Sequence, residues 1–463
     1  MKLAHVLIIL LALNLPSSAR ILNVPSEYPT IQAGIDAAVN GDTVLVAPGE
    51  YEETLAVEDK NILLSGGGLP ESTRVIGYIT FSGESIDTTC VLQGFTINKS
   101  SAHNHDLLTI ENASPKIQGN IAHGGGWATY AMVTLTHSQA VIRANIIKDN
   151  FSNYIGHGVR SDSGYPIIDG NIILNNHAMS GFSTFEWGVI LDAGILRYNL
   201  IADNGASGIE SALGGGVSIG NGPYQVANNT IVGNFAYGHM MQGNGGGLSF
   251  RVPENGTDRV IRNNIIVNNR YKYGARGYIS DSSWTGWDYN LVYDNDSTDY
   301  LGFSSGPHDI QADPLFINAD SGDYHLLPNS PCIDSGDPSF PLDPDSTRCD
   351  IGAYFFDQSV GIDDGAPSGP YQFSLRQNYP NPFNAETVIA YSLDKVSLVS
   401  LRIVAITGQL VKIITNGESQ SAGEHQYVWD SRDRSGKPVS TGIYFYELYV
   451  DDYRESKAMI LIK

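Results

Sequence analysis

Asn171-Ile-Ile-Leu-Asn-Asn176 is one copy of a phrase this chain writes six times. The others are Asn145-Ile-Ile-Lys-Asp-Asn150, Asn199-Leu-Ile-Ala-Asp-Asn204, Asn229-Thr-Ile-Val-Gly-Asn234, Asn264-Ile-Ile-Val-Asn-Asn269 and Asn290-Leu-Val-Tyr-Asp-Asn295. Successive first asparagines are 26, 28, 30, 35 and 26 residues apart, and Gly119-Asn120-Ile121 and Gly94-Phe-Thr-Ile97 extend the series upstream. A unit this short cannot bury an apolar face alone, so it must stack on its neighbours as a solenoid. Strands of three to five residues joined by tight corners, with no helical period, predict an all-β, right-handed parallel β-helix. The asparagines fit the corners, where Asn tolerates left-handed backbone, and their amides can hydrogen-bond from coil to coil. Glycine-rich corners (Gly124-Gly-Gly126, Gly156-His-Gly158, Gly214-Gly-Gly216, Gly245-Gly-Gly247) are expected to precede one strand of each coil.

Working outward, Thr30–Val39 places Ile31, Ile35, Ala38 and Val39 on one helical face with Thr30 as its cap. A strand over Thr43–Ala47 follows, so residues 20–68 are expected to plug the first coil. Residues 313–356 are loop-rich and aromatic and are expected to close the last coil, completing a β-helix over 20–356. A Gly/Pro/Asp/Ser linker covers 357–370. Residues 371–463 alternate apolar and polar positions in about seven short strands, predicting a small β-sandwich.

Lys2, the apolar run Val6–Leu15 and Ser17-Ser18-Ala19 form a secretory signal over residues 1–19. No stretch is long enough to span a bilayer. The formal charge is −22, and residues 371–463 hold ten acidic and ten basic side chains, so the whole excess lies upstream. An acidic surface of this size argues against nucleic acid and anionic lipid as partners. Cys332 and Cys349 are close enough in sequence to close a small loop that an exported protein could oxidise, whereas Cys90 sits in an apolar strand pattern.

Three stretches resemble known families. Thr30–Tyr51, with Gly41-Asp42-Thr43-Val44 and Pro48-Gly49-Glu50-Tyr51, resembles the N-terminal cap of the pectin-lyase-like right-handed β-helix superfamily. Asp313-Pro-Leu-Phe316, Gly322-Asp-Tyr-His-Leu326, Ser330-Pro-Cys-Ile-Asp-Ser-Gly336 and Asp350-Ile-Gly-Ala-Tyr354 resemble the closing segment of bacterial surface β-helix proteins. Gln377-Asn-Tyr-Pro-Asn-Pro-Phe-Asn384, Ser440-Thr-Gly-Ile-Tyr-Phe445 and Lys457-Ala-Met-Ile-Leu-Ile-Lys463 resemble an immunoglobulin-like type IX secretion sorting domain. That resemblance implies export by the type IX machinery of a Bacteroidetes-like Gram-negative cell, ending in release or attachment at the cell surface.

Period-two alternation points Val133, Leu135, Val159, Ser161, Val189, Leu191, Val217, Ile219, Leu248 and Phe250 inward. Thr134, Thr136, Arg160, Asp162, Ile190, Asp192, Ser218, Gly220, Ser249 and Arg251 then point outward. Coils stack about 4.8 Å apart, so Asp162 and Asp192 become neighbours beside Arg160, with His157 at the corner. Such a pair can act as acid and base or nucleophile in glycoside cleavage, share a calcium ion in lyase chemistry, or stay solvated against Arg160. Gly156-His157-Gly158 matches the Gly-His-Gly of polygalacturonases, but that family's other motifs are absent. Trp127, Tyr130, Trp187 and Arg251 are the candidate sugar contacts. Two readings stand: a carbohydrate-binding or carbohydrate-cleaving surface protein, and a non-catalytic adhesin or structural stalk.

Overall fold

The computed structural model describes residues 19–356, 358 and 373–461. Left out within these are 69, 100–104, 125–130, 153–154, 181–183, 209–211, 239–243, 255, 257, 271, 282, 377, 379–382, 384–385, 394, 406–409, 435, 440–441 and 451–452. The signal segment 1–18 and the linker, apart from Gln358, lie outside the described residues. Contacts divide the chain into two units, Met1–Pro314 with Ile351–Tyr354, and Leu315–Asp350 with Phe355–Lys463.

The first unit is the expected right-handed parallel β-helix. Among the described residues its strands form three long parallel sheets. Sheet I has eleven strands, from Ile21–Val24 to Trp287–Asp288; sheet II has ten, from Gly49–Tyr51 to Leu291–Tyr293; sheet III has ten, from Leu55–Glu58 to Tyr300–Leu301. Each coil visits III, I and II in turn, and its strands point one or two side chains each into a continuous apolar core. The period-two reading holds on sheet III: every residue expected inward is buried, and every one expected outward reaches the surface.

Each copy of the repeated phrase supplies two ladders. Asn120, Asn145, Asn171, Asn199, Asn229, Asn264 and Asn290 stack at the corner from sheet I to sheet II, each but Asn290 donating its backbone N–H to the next amide oxygen. Asn150, Asn176, Asn204, Asn234, Asn269 and Asn295 do the same where sheet II ends. The left-handed backbone falls one residue earlier, at Ala144, Gly170, Tyr198, Asn228, Asn263 and Tyr289, and at Asp149, Asn175, Asp203, Gly233, Asn268 and Asp294. The ladder asparagines themselves serve as buried hydrogen-bond relays. Both ladders end on a carboxylate: Asp309 Oδ1 accepts Asn290 N–H at 2.9 Å, and Asp299 Oδ1 accepts Asn295 N–H at 3.2 Å.

Three of the glycine-rich stretches, Gly156–Gly158, Gly214–Gly216 and Gly245–Gly247, are a correction, because they lie inside strands. Gly124 follows the strand Ile121–His123, and residues 125–126 lie outside the described residues. Gly158, Gly188, Gly216, Gly247 and Gly274 form a column in sheet III, within Ile155–Ser161, Thr184–Leu191, Ala212–Ile219, Asn244–Val252 and Lys272–Ile279. A methyl group at these positions would stand 3.2, 2.9, 2.9, 2.6 and 2.5 Å from the amide nitrogens of Asn176, Asn204, Asn234, Asn269 and Asn295. The column is bare because the second asparagine ladder occupies the space a Cβ would need. A further four-stranded parallel sheet (Phe151–Ser152, His177–Ser180, Gly205–Gly208, Phe235–Gly238), absent from the sequence reading, runs beside the ladder.

At the N-terminal end the helix Ile31–Ala37 buries Ile31 and Ile35, and Thr30 Oγ1 accepts Ala33 N–H at 3.1 Å. It stops short of Val39, which is 49% exposed, because the Asp42 carboxylate takes Val39 N–H and turns the chain. Within the same unit, Ile351–Tyr354 lies along sheet II: Gly352 N–H donates to Asn263 O, and Ala353 N–H to Thr230 Oγ1.

In the second unit, Leu315–Asp350 holds a short antiparallel pair, Phe316–Asn318 with Asp323–Leu326. Cys332 and Cys349 are both buried thiols, and Cys349 Sγ–H donates to Asp337 O at 3.5 Å. The expected Cys332–Cys349 bridge is therefore not formed. Residues 373–461 make two antiparallel sheets of three and four strands around Trp429, Tyr391, Tyr446 and Phe383, as the alternation predicted. Among the described residues no helix is long and apolar enough to cross a membrane.

Candidate functional site

The outer face of sheet III carries two rows of side chains set by strand register. One runs Thr80, Thr109, Thr134, Arg160, Ile190, Ser218, Ser249, Arg276. The other holds Glu111 and Thr136, then Asp162 and Asp192, each one residue past the paired Ser161 and Leu191, then Gly220, Arg251 and Tyr278. Asp162, Asp192 and Arg160 thus lie where the sequence placed them.

Their side chains take separate partners. Asp162 Oδ1 accepts Arg160 Nε–H at 2.7 Å along its own strand. Asp192 leans toward the following coil instead. Its Oδ1 accepts Asn221 N–H at 3.2 Å and lies 2.3 Å from where a Cβ on Gly220 would stand. Gly220 is therefore the residue that lets Asp192 lie down. Neither carboxylate is presented bare to a shared calcium ion, and among the described residues no group of three or more His, Cys, Asp or Glu is placed to hold a metal.

His157 is a second correction. It lies within the strand Ile155–Ser161 rather than at a corner, in register with Ala131 and Trp187. It is only 3% exposed, and its carbonyl accepts Asn150 Nδ2–H at 3.5 Å. An imidazole packed under the coil surface cannot meet a ligand on the outer face. Trp127 and Tyr130 lie outside the described residues. Trp187 sits on the strand Thr184–Leu191 with its backbone beside His157 and Gly215.

Arg251 is exposed, as expected, and belongs to a cluster the sequence reading missed. Its guanidinium lies 5.4 Å from the centroid of the Tyr278 ring, and that of Arg276 lies 4.3 Å from the same ring. Arg276 is also 5.6 Å from the centroid of the Tyr273 ring. Burial pushes the Tyr273 phenol up, offset by hydrogen bonds with Arg276 and Ser249. The signal was present: Gly274 continues the glycine column, and Arg276 and Tyr278 follow it with the same alternation.

A second polar group also escaped notice. At the end of sheet II, Asp149 receives Asn175 Nδ2–H at 2.5 Å and lies 3.3 Å from His123 Nε2 and 3.8 Å from Lys148 Nζ. His177, 2.7 Å from Asp203 O, stands edge-on to Phe151 and Phe235. Burial lowers its imidazole below the ordinary value against the pull of the Asp203 carbonyl and of the Asp203 and Asp149 charges.

The Disaggregatase related family profile matches residues 192–337, and the FlgD Ig-like domain profile matches residues 384–452. No curated protein matches the chain. Among solved structures, a PL6 family alginate lyase, AlyGC, is similar at 14% identity over 72% of this chain and 58% of the lyase, with a TM-score of 0.24. A point mutant of that lyase aligns at 14% identity over 68% and 56%, with a TM-score of 0.22. The chain spans less than two thirds of either lyase, and likeness at this level carries no argument about activity.

Proposed function

We propose that this protein is exported and holds an acidic polysaccharide along the outer face of sheet III. The observation that carries the reading is the Arg251–Tyr278–Arg276 cluster, a cationic and aromatic patch on a chain of net charge −22. A guanidinium binds a carboxylate or sulfate through two parallel hydrogen bonds. The Tyr278 ring, 41% exposed, carries both guanidiniums at the surface. Between this patch and Arg160 the floor is low: Ile190, Ser218, Gly220 and Ser249. Four strand steps separate Arg160 from Arg276, about 19 Å, which is room for several sugar units. The Arg160–Asp162 ion pair is half-exposed on both sides and so worth little. A uronate can take the place of Asp162 on Arg160 at small cost.

Binding is favoured over cleavage because Asp162 and Asp192 each answer to another partner. The C-terminal unit is, in this reading, the type IX sorting domain. The phrases at 377–384, 440–445 and 457–463 and the antiparallel sheets of 373–461 support that role. The test is titration of the mature chain with polygalacturonate, alginate and a neutral glucan at low and high salt, with ultraviolet and reducing-end assays on the same samples. The expected result is polyuronate binding that weakens with salt and falls about tenfold or more, 1.4 kcal/mol, in the Arg251→Ala/Arg276→Ala double variant. Equal affinity for the neutral glucan, or no effect of the double variant, overturns the proposal. New unsaturated or reducing ends would restore the cleavage reading, with Asp162→Ala and Asp192→Ala as its controls.

A further inference from the structure

We infer that the chain is cut between Ala19 and Arg20 during export, and that the new α-ammonium of Arg20 docks on the buried carboxylate of Asp42 and locks the N-terminal cap. The inference rests on reading residues 1–19 as an export leader and is independent of what sheet III binds.

Asp42 is only 1% exposed, yet it is the meeting point of the whole cap. Its Oδ1 accepts the backbone N–H of Arg20 at 2.9 Å. Its Oδ2 accepts Arg20 Nε–H at 3.1 Å, Arg20 Nη2–H at 2.6 Å and Val39 N–H at 3.0 Å. Arg20 Nη2 also reaches Ala37 O at 3.1 Å, tying the helix end to the same point. Arg20 cannot slide, because its carbonyl accepts Thr43 N–H at 2.8 Å and Ile21–Val24 pairs in register with Thr43–Val46. The atom held against the carboxylate is therefore always the nitrogen of residue 20.

The leader places its cleavage site at that nitrogen. Ser17 and Ala19 supply the small residues that export peptidases require three and one residues before the cut. Ala19 is exposed, so the bond is within reach. In the cleavage, water adds to the Ala19 carbonyl and the C–N bond to Arg20 breaks. Ala19 leaves as a carboxylate and the Arg20 nitrogen keeps the electron pair and takes up protons. A free α-amino group has a pKa of about 7.7–8.0, so the product is a cation at neutral pH. An amide donor thereby becomes an ammonium facing a desolvated carboxylate, which adds a full positive charge to a hydrogen bond already assisted by the carboxylate's own charge. Asp42 suits that role: hydrogen bonding from the Arg20 guanidinium already holds its carboxyl down at about 2. A cut one residue earlier moves the ammonium off Asp42, and a cut one residue later removes the guanidinium as well.

Two measurements test this. N-terminal sequencing of the exported protein should begin at Arg20; any other first residue overturns the cleavage assignment. Amide exchange in Ile21–Val24 is then compared between a chain beginning at Arg20, one beginning at Ser18, and the Arg20-first chain carrying Asp42→Asn. A folded-state amine pKa raised above its unfolded value gives stability that is full below pH 7.7 and lost as pH rises through the raised value. At pH 7 the Arg20-first chain should exchange about tenfold more slowly, one pKa unit being tenfold in equilibrium. That advantage should fade above pH 9 and be missing in the other two chains. Identical exchange and pH dependence in the Arg20-first and Ser18-first chains overturns the lock, whatever sheet III proves to bind.

Discussion

Asn204 illustrates how much one side chain carries in this fold. Its Nδ2 faces Ile173 O at 2.9 Å, Ala202 O at 3.0 Å and Asn234 Oδ1 at 3.1 Å, while its Oδ1 accepts Asn176 N–H at 3.2 Å and Asn176 Nδ2–H at 2.8 Å. None of these groups reaches water, since Asn204 and both ladder neighbours are fully buried. Asn204→Ala would orphan donors and acceptors on three coils, each worth about 1–3 kcal/mol. We expect a loss of about 3 kcal/mol or more in denaturant unfolding, far beyond the effect of shortening an exposed residue such as Arg160. A different residue-scale expectation concerns Asp350. Burial pushes its carboxyl up to about 7, and that of nearby Asp343 to about 6. A raised carboxyl pKa means the folded state holds protons the unfolded state has released, so stability falls as pH rises from about 4 to 7. Protease resistance of the 334–356 stretch should be higher at pH 5 than at pH 8. Asp350→Asn should flatten that difference even though it also disturbs the N–H bonds from Asp334 and Phe356.

At the scale of the element, the strand of sheet III is shaped by what lies behind it. Gly188 has Asn204 Nδ2, Ile201 Cγ2 and Gly216 O at 2.9, 2.8 and 2.8 Å from its would-be Cβ, the first two from its own coil and the third from the backbone of the next. Gly188→Ala forces the ladder or the strand to move, a change that typically costs about 1–3 kcal/mol. The expected result is a lower melting temperature than Gly119→Ala, whose Cβ would meet nothing within 4 Å and whose cost is only the strain of φ +61. The same comparison explains what could be read from the chain alone. Alternation along Val189-Ile-Leu191 needs only a period of two, so the inward and outward sets were legible in the five coils from Val133 to Arg251. The reason for the glycines was not, because it depends on an asparagine that arrives 16 to 22 residues later and fills the space. The direction of Asp192 was hidden for a similar reason: it is decided by Gly220 and Asn221 in the coil above. Asp162 was caught by Arg160, a partner visible in sequence but equally able to face a ligand.

For the β-helical unit as a whole, stability is a sum over neighbouring coils, so its ends decide where unfolding starts. At the C-terminal end carboxylates take the place of the next asparagine in both ladders. The first ladder stops on Asp309, whose Oδ1 takes Asn290 N–H while its Oδ2 takes Trp287 Nε1–H at 2.6 Å, Tyr300 Oη–H at 3.0 Å and Gly306 N–H at 2.8 Å. Phe250, Trp284, Trp287, Tyr300 and Phe303 pack edge and face beneath it and fill the core at that end. One carboxylate therefore terminates the ladder and fixes the aromatic plug together. Asp309→Ala should fray the stack from this end: amide exchange should speed up in Leu291–Tyr293 and Trp287–Asp288, less in Ile265–Val267, and hardly at all in Ile121–His123. A uniform increase along every coil would mean the stack unfolds as one cooperative block, and the nearest-neighbour account would fail. Because the Arg251–Tyr278–Arg276 patch lies in the coils next to this plug, polyuronate should protect those same amides. Protection by ligand and fraying by Asp309→Ala should therefore map onto the same strands.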